Sequence, residues 1–222
     1  MRTTLLSPAD YRPMPWKNGL GTTHEIWVGR TAQDQATGGF RARLSIATVS
    51  VGSPFSRFAG CDRIIVLLDG AGMRLDSGPG RQQVLAQPHQ PYAFSGDWDT
   101  DCTLIAGPCR DLNVIVDRQR ACAEVRVISL APDQPAPLTA GPQDEVWALF
   151  TLRGTATVTD PSQPPTMPPQ SVPREHTLLC QSTDQAPLMG RLQVSAEGGE
   201  ARLLWIAIRT PDATAAERPA GT

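Results

Sequence analysis

The sequence predicts an all-β protein built of two antiparallel β-sandwiches or barrels in tandem, and three observations carry that prediction. Gly 19 and Pro 21 together supply 40 of 222 residues, a share that argues against a helical bundle. Gly costs backbone entropy there, and Pro removes a donor inside helices. Short apolar stretches alternate with period two between Gly/Pro turns, the pattern of half-buried strands. The second half repeats this succession loosely, with Gly70 and Gly154 in comparable places; all-β closure of this kind hides sheet edges.

Residues 22–28 read as the first clear strand, and residues 40–49 alternate strongly. In the latter Phe40, Ala42, Leu44 and Ile46 share one face, so Arg43 and Ser45 share the other. Residues 64–68 form an apolar strand ending in Asp69-Gly70-Ala71-Gly72, a hairpin signature. Strands follow at 82–85, 102–106 and 111–116, where Asp111 and Asn113 share a face. The second half predicts strands at 125–130, 145–152, 155–159, 177–180, 191–195 and 203–209, with Arg153-Gly154 turning a second hairpin. Few segments have room for a helix. Residues 131–141 are Pro-rich, and residues 160–173 hold too many prolines for a regular ladder, so they are expected to be an exposed, poorly ordered insertion. Residues 1–120 are then the N-terminal barrel, 121–210 the C-terminal barrel acting as scaffold or dimer surface, and 211–222 a loose tail.

With 20 Lys+Arg against 22 Asp+Glu and a formal net charge of −2, the chain has no basic excess to neutralise a phosphate backbone, and no helix-turn-helix signal is present. Nucleic acid is not an expected partner. No apolar run approaches the roughly 20 residues that cross a bilayer, and residues 1–8 lack a signal-peptide core; no membrane partner and a cytoplasmic location are expected. Five cysteines, Cys61, Cys102, Cys109, Cys122 and Cys180, lack CxxC spacing and read as free thiols. Lys17 is the single lysine, which composition alone explains.

The densest stretch is Trp16-Lys17-Asn18-Gly19-Leu20-Gly21-Thr22-Thr23-His24-Glu25. Two glycines beside an aromatic, an amide and a carboxylate suit a loop that walls a pocket; as an alternative, Trp16 caps a core and the glycines merely turn. If the faces of Arg43/Ser45 and Asp111/Asn113 point into the first barrel, then Glu25, Arg43, Ser45, Asp62, Arg63, Asp111 and Asn113 converge there, with Trp16 and Asn18 at the mouth. A guanidinium in such a place binds a carboxylate bidentately. The competing reading is an ion-pair network of Arg43 or Arg63 with Asp62, Asp111 or Glu25.

The motifs Trp16-Lys17-Asn18-Gly19-x-Gly21-Thr22-Thr23-x-Glu25-Ile26, Arg43-x-Ser45-x-Ala47, Gly52-Ser53-Pro54-Phe55-Ser56, Gly60-x-Asp62-Arg63, Leu68-x-Gly70, Phe94-x-Gly96-Asp97 and Gly107-Pro108-x-x-Asp111-Leu112-Asn113 follow in order. Together they resemble the HutD/Ves family, whose members are similar to tandem cupins. The resemblance runs across residues 16–113 and implies an RmlC-like bicupin of the jelly-roll type. His24 departs from it, since the family commonly carries Arg before Glu25.

Cupins usually hold a metal through two or three His and a Glu. Here the corresponding segment offers Gly52, Ser56, Arg57, Phe58, Ala59 and Arg63, while His24, His89 and His176 are scattered. No metal site and no cofactor are expected. No Gly-x-Ser-x-Gly elbow and no nucleotide-binding glycine motif is present.

The resemblance implies a tie to histidine utilisation, by sensing or buffering a carboxylate intermediate such as urocanate, formiminoglutamate or formylglutamate. In that reading Arg43 and Arg63 supply the cation, Trp16 a flat wall, and Asn18, Ser45 and Asn113 read the amide or imine end, with Phe55 and Ser56 also at the site. Two alternatives stand beside it. One is a metal-independent isomerase or hydrolase using Glu25 or Asp111 as general base; the other is a stress-related interaction protein with a filled barrel and no ligand.

Overall fold

The computed structural model describes residues 1–16, 19–132, 134–141, 143–162, 164, 168–183 and 191–211. The first half of the chain forms β1 (Arg2–Leu6), β2 (Arg12–Pro15), β3 (Gly21–Gly29), α1 (Ala32–Thr37), β4 (Ala42–Val49), β5 (Cys61–Asp69), β6 (Met73–Asp76), β7 (Gln82–Leu85), β8 (Pro91–Ser95), β9 (Asp101–Leu104) and β10 (Cys109–Asp117). The second half forms β11 (Cys122–Leu130), β12 (Ala136–Thr139), β13 (Asp144–Arg153), β14 (Thr155–Thr159), β15 (Gln170–Pro173), β16 (Thr177–Gln181), β17 (Arg191–Ala196) and β18 (Ala201–Arg209). Among the described residues the fold is all-β with antiparallel sheets and one short α-helix, and no helix of these residues is long and apolar enough to cross a membrane.

Two compact units result. One comprises Tyr11–Ala123, the other Met1–Asp10 with Glu124–Thr210. The first ten residues, predicted to lie in the N-terminal barrel, belong instead to the C-terminal unit, because β1 pairs with β16 along its whole length, Arg2 opposite Gln181 and Leu6 opposite Thr177. The N-terminal unit consists of a six-stranded sheet in the order β2-β3-β4-β10-β5-β8 and a three-stranded sheet β7-β6-β9. Between them pack Val49, Ile65, Leu67, Met73, Leu75, Leu85, Phe94 and their neighbours. Each such side chain contributes about 1.5–3 kcal/mol by leaving water. The C-terminal unit has a five-stranded sheet β1-β16-β13-β18-β11 and a four-stranded sheet β12-β17-β14-β15 around a core that includes Trp147, Leu149, Leu178, Leu203 and Trp205.

Neither predicted hairpin forms. β5 pairs with β8 and β10 while β6 pairs with β7 and β9, so the turn at Gly70 carries the chain from one sheet to the other. Gly154 does the same between β13, which pairs with β16 and β18, and β14, which pairs with β15 and β17. Both glycines have positive φ and lie against another strand; an added Cβ would come within 2.7 Å of Cys109 at Gly70 and within 2.4 Å of the Glu200 carbonyl at Gly154. One further expectation changes: residues 170–173, at the end of the expected insertion, pair with β14. Residues 136–139, in the Pro-rich stretch, pair with β17. The Pro residues at these positions are carried by short strands at sheet edges, where a missing donor costs least. The tail at residues 212–222 lies outside the described residues.

The helix α1 is too short to leave a periodic signal. It is fixed by its ends, through a capping box between Thr31 and Asp34 and an αL Gly38. Arg120 holds Asp34 at 2.9 Å and Asp117 at 2.7 Å; hydrogen bonds from Arg120 and Thr31 lower the Asp34 carboxyl below the usual range.

Gly72 gives the sharpest backbone prediction of the fold. Its φ is 98°, and a Cβ there would sit 2.0 Å from the Leu85 carbonyl oxygen. Gly72→Ala is expected to lose about 3 kcal/mol or more in chemical denaturation, because strain and clash add. Gly78→Ala, with φ 102° but nothing within 4 Å, is expected to lose only about 1 kcal/mol.

Candidate functional site

The middle of the six-stranded sheet sets the site by register. Arg43 of β4 lies opposite Ile115 of β10, which lies opposite Arg63 of β5 and, beyond it, Phe94 of β8. The next row is Glu25, Ser45, Asn113 and Ile65; the row after is Thr23, Ala47, Asp111 and Leu67. Because alternate residues share a face, these rows turn Arg43, Ser45, Arg63, Asp111 and Asn113 to the inside of the unit. A bulge between Glu25 and Trp27 shifts the register of β3 at the edge of this patch.

The patch is the floor of a cavity of about 450 Å³. Of the predicted site residues, Trp16, Arg43, Ser45, Phe55, Ser56, Arg63, Asp111 and Asn113 line it. Glu25 stands behind the wall, its Oε2 3.1 Å from Arg43 Nε and its Oε1 3.6 Å from Arg12 Nε. Asp62, expected among them, does not line the cavity. It lies one residue from the inward Arg63, so alternation turns it outward, where it pairs with Arg118 at 2.8 Å. Asn18 falls outside the described residues. Pocket and ion-pair network therefore coexist, since Arg43 is tied to Glu25 while Arg63 faces the cavity.

Gly19 and Gly21 serve different ends in the loop at the mouth. Gly19 has φ 71°; at Gly21 a Cβ would sit 2.5 Å from the Thr48 carbonyl and 2.9 Å from the Trp16 ring. Only glycine lets Trp16 fold over β4, and Trp16 Nε1 then donates to Thr23 Oγ1 at 2.9 Å.

Arg63 is the centre of the arrangement. Its guanidinium carbon lies 4.8 Å from the Phe94 ring centre, 5.2 Å from that of Phe55 and 5.4 Å from that of Phe58. Such stacking holds the planar cation and leaves its edge for hydrogen bonds. Nη2 donates to Asn113 Oδ1 at 2.7 Å and Nη1 to the Ser56 carbonyl at 3.3 Å, while the buried Nε has no partner. Burial lowers its pKa to about 10, against the attraction of Asp111. Asp111 is fully buried. Its Oδ1 accepts from Asn113 Nδ2 and its Oδ2 has no partner. Burial pushes its carboxyl up to about 7, with Arg63 and then Asn113 opposing.

Several lining residues escape sequence reasoning. Met14, whose sulfur accepts from Arg43 Nη2 at 3.4 Å, comes from β2, an edge strand hidden by its two prolines. Phe58 comes from the irregular connection before β5. Thr23 was within reach, because it shares the face of Glu25 by alternation. His24 sits opposite Ile46, on the other face of β3, and is not among the residues that line the cavity.

A metal centre of the cupin kind does not fit these residues. No group of three or more His, Cys, Asp or Glu placed to hold a metal occurs among the described residues. The cavity wall presents the Arg63 guanidinium, which repels a divalent cation.

Comparison with known proteins identifies the family. The family model described as HutD matches residues 8–202. An uncharacterised 21.2 kDa protein from the hutC 3′ region of Pseudomonas putida is 44% identical over 126 residues, which cover 55% of this chain and 62% of that protein. Protein Ves of Citrobacter koseri is 38% identical over 122 residues, 53% of this chain and 61% of its own length. The chain thus spans about three fifths of the length of these curated relatives. The structure of HutD from Pseudomonas fluorescens SBW25 in a formate condition superposes with a TM-score of 0.76 at 29% identity over 95% of this chain and all of that one. An oxalate decarboxylase from Lactobacillus farciminis shares the fold at 8% identity and a TM-score of 0.64, over 97% of this chain and 90% of its own. With the family model covering residues 8–202, the chain belongs to the HutD family.

Proposed function

We propose that this chain is a small-molecule-binding protein of the HutD/Ves type, which takes a carboxylate-bearing intermediate of histidine utilisation into its N-terminal cavity and senses or buffers it. Urocanate, formiminoglutamate and formylglutamate are the candidate ligands. The observation that carries the reading is Arg63. It is a buried guanidinium in a cavity wall, clamped by three phenylalanines and without a carboxylate partner in ion-pair range among the described residues. A cation so held, with unused N–H groups, is complementary to a carboxylate. The relative named for the hutC 3′ region supports the pathway.

Arg43 supplies a second cation, offset by Glu25, while Ser45 and Asn113 offer a hydroxyl and an amide to the remainder of the ligand. The deciding test is a thermal-shift series with urocanate, formiminoglutamate, formylglutamate, histidine and glutamate. A true ligand at about 100 times its Kd adds about 2.7 kcal/mol, and a saturable shift of several degrees with one pathway acid, without its consumption, is expected. Arg43→Ala is expected to reduce that shift in a folded protein; an unchanged affinity would remove Arg43 from the site.

A metal-independent enzyme is the second reading, favoured by the Asp111 carboxyl, which changes protonation near neutrality beside the cavity. Consumption of a candidate acid, lost in Asp111→Asn, would move the assignment there.

A further inference from the structure

Asp111 and Arg63 are joined through a single amide. Asn113 donates from Nδ2 to Asp111 Oδ1 and accepts at Oδ1 from Arg63 Nη2, so its orientation is set by both. The second carboxyl oxygen, Oδ2, is buried in the cavity wall with no partner. An ionised carboxylate is poorly served by one hydrogen bond; a protonated one needs far less.

We propose that the cavity takes up its carboxylate ligand together with a proton, that Asp111 receives the proton, and that Asp111 thereby acts as a positioning residue for Arg63. The proposal rests on the carboxylate reading above and adds the charge class of the ligand: the site is matched to one negative charge accompanied by one proton.

The charges around Asp111 make the coupling directional. Arg63 faces it from β5. Arg43 of β4 is answered by Glu25 of β3. Cys109 on its own strand and Cys102 of β9 are neutral thiols, pushed up to about 11 and about 12 chiefly by burial. Phe94 of β8 and Phe55 and Phe58 before β5 carry no charge. Arg63 is thus the cation that holds Asp111 toward ionisation, against the burial that lifts its carboxyl to about 7. An anion on Arg63 cancels that influence and adds repulsion of its own, so the bound state holds the proton more tightly than the free state. The sign follows by linkage. Affinity is highest and flat below about pH 7, where Asp111 already carries its proton, and falls by up to about tenfold per pH unit above it until the bound-state carboxyl also ionises.

The experiment is calorimetric titration of the full chain with sodium formate, fully ionised from pH 6 to 9, and with sodium glutarate, ionised at both carboxylates from about pH 7 upward, in buffers of different protonation heat. The expected result at pH 7.5 is uptake of about half a proton or more per carboxylate bound, together with no uptake and a flat pH profile in Asp111→Asn. Binding without proton uptake, or uptake that persists in Asp111→Asn, overturns the proposal and leaves the carboxylate reading intact. No binding of either probe, with no thermal shift from any acid of the series, overturns both. Should the variant fail to fold, the side-chain carboxyl resonance of Asp111 in the natural protein decides: its titration midpoint is expected to rise by about one pH unit or more on saturation, and a midpoint that stays in place overturns the proposal.

Discussion

Arg63→Met is expected to give a folded protein whose affinity for carboxylates has fallen by about ten- to a hundredfold. A charge-assisted pair to a clamped guanidinium in a partly desolvated cavity carries about 1.5–3 kcal/mol, and each 1.4 kcal/mol is tenfold. The fold should survive for reasons local to the site. Phe55, Phe58 and Phe94 form an apolar box around the guanidinium, and a thioether fills such a box with favourable sulfur–aromatic contacts. Two groups lose a partner, Asn113 Oδ1 and the Ser56 carbonyl. Asp111 loses its cation, and burial then holds it in the neutral form across the working range. The net stability change is expected within about 2 kcal/mol. Arg63→Lys keeps the charge but not the fork, and should recover less than a tenth of the lost affinity. A calorimetric titration beside a thermal melt checks both halves. If Arg63→Met binds carboxylates as the natural protein does, the proposed ligand chemistry is wrong.

Much of this site was legible because a strand has only two faces. Arg43 and Ser45, and likewise Asp111 and Asn113, had to share a side, and pairing β4 with β10 and β10 with β5 brings both sets onto one floor. The same rule excludes Asp62 once Arg63 is placed inside, and applying it there would have turned Asp62 to solvent beforehand. What no pattern shows is the roof. Met14 arrives on a Pro-containing edge strand, and Phe55 and Phe58 come from the connection between β4 and β5, which has no period to read. The cation box around Arg63 is therefore a tertiary product.

The fold divides in the same way. Long apolar strands such as β10 and β13 announce themselves, because both faces are buried. The pairing of strands does not. Asp69-Gly70 and Arg153-Gly154 have the local chemistry of hairpin turns, yet each glycine is required for a close approach to a distant strand. A turn that changes sheets and a turn that closes a hairpin draw on the same residues, and only the partner strand tells them apart. The membership of β1 in the C-terminal unit is a contact across most of the chain, beyond any local signal.

Trp147 makes the packing of the C-terminal core measurable. It packs edge-to-face on Trp205, with ring centres 5.6 Å apart. Trp147 is 1% exposed, and its Nε1 donates to Asp144 Oδ2 at 2.9 Å. Trp147→Ala removes one of the two tryptophans of that core, one edge-to-face pair and one hydrogen bond to a buried carboxylate. The expected loss is about 3–5 kcal/mol, a fall of about 10 °C in the melting midpoint for a chain of this size. Trp147→Phe keeps most of the volume and the aromatic pair, and leaves Asp144 Oδ2 still accepting from the Gly141 amide at 2.9 Å. It should lose less than half as much. Differential scanning calorimetry of the two variants separates packing from the hydrogen bond. A Trp147→Ala loss below about 1 kcal/mol would mean that the core closes over the gap, against the dense packing that an interior of this kind requires.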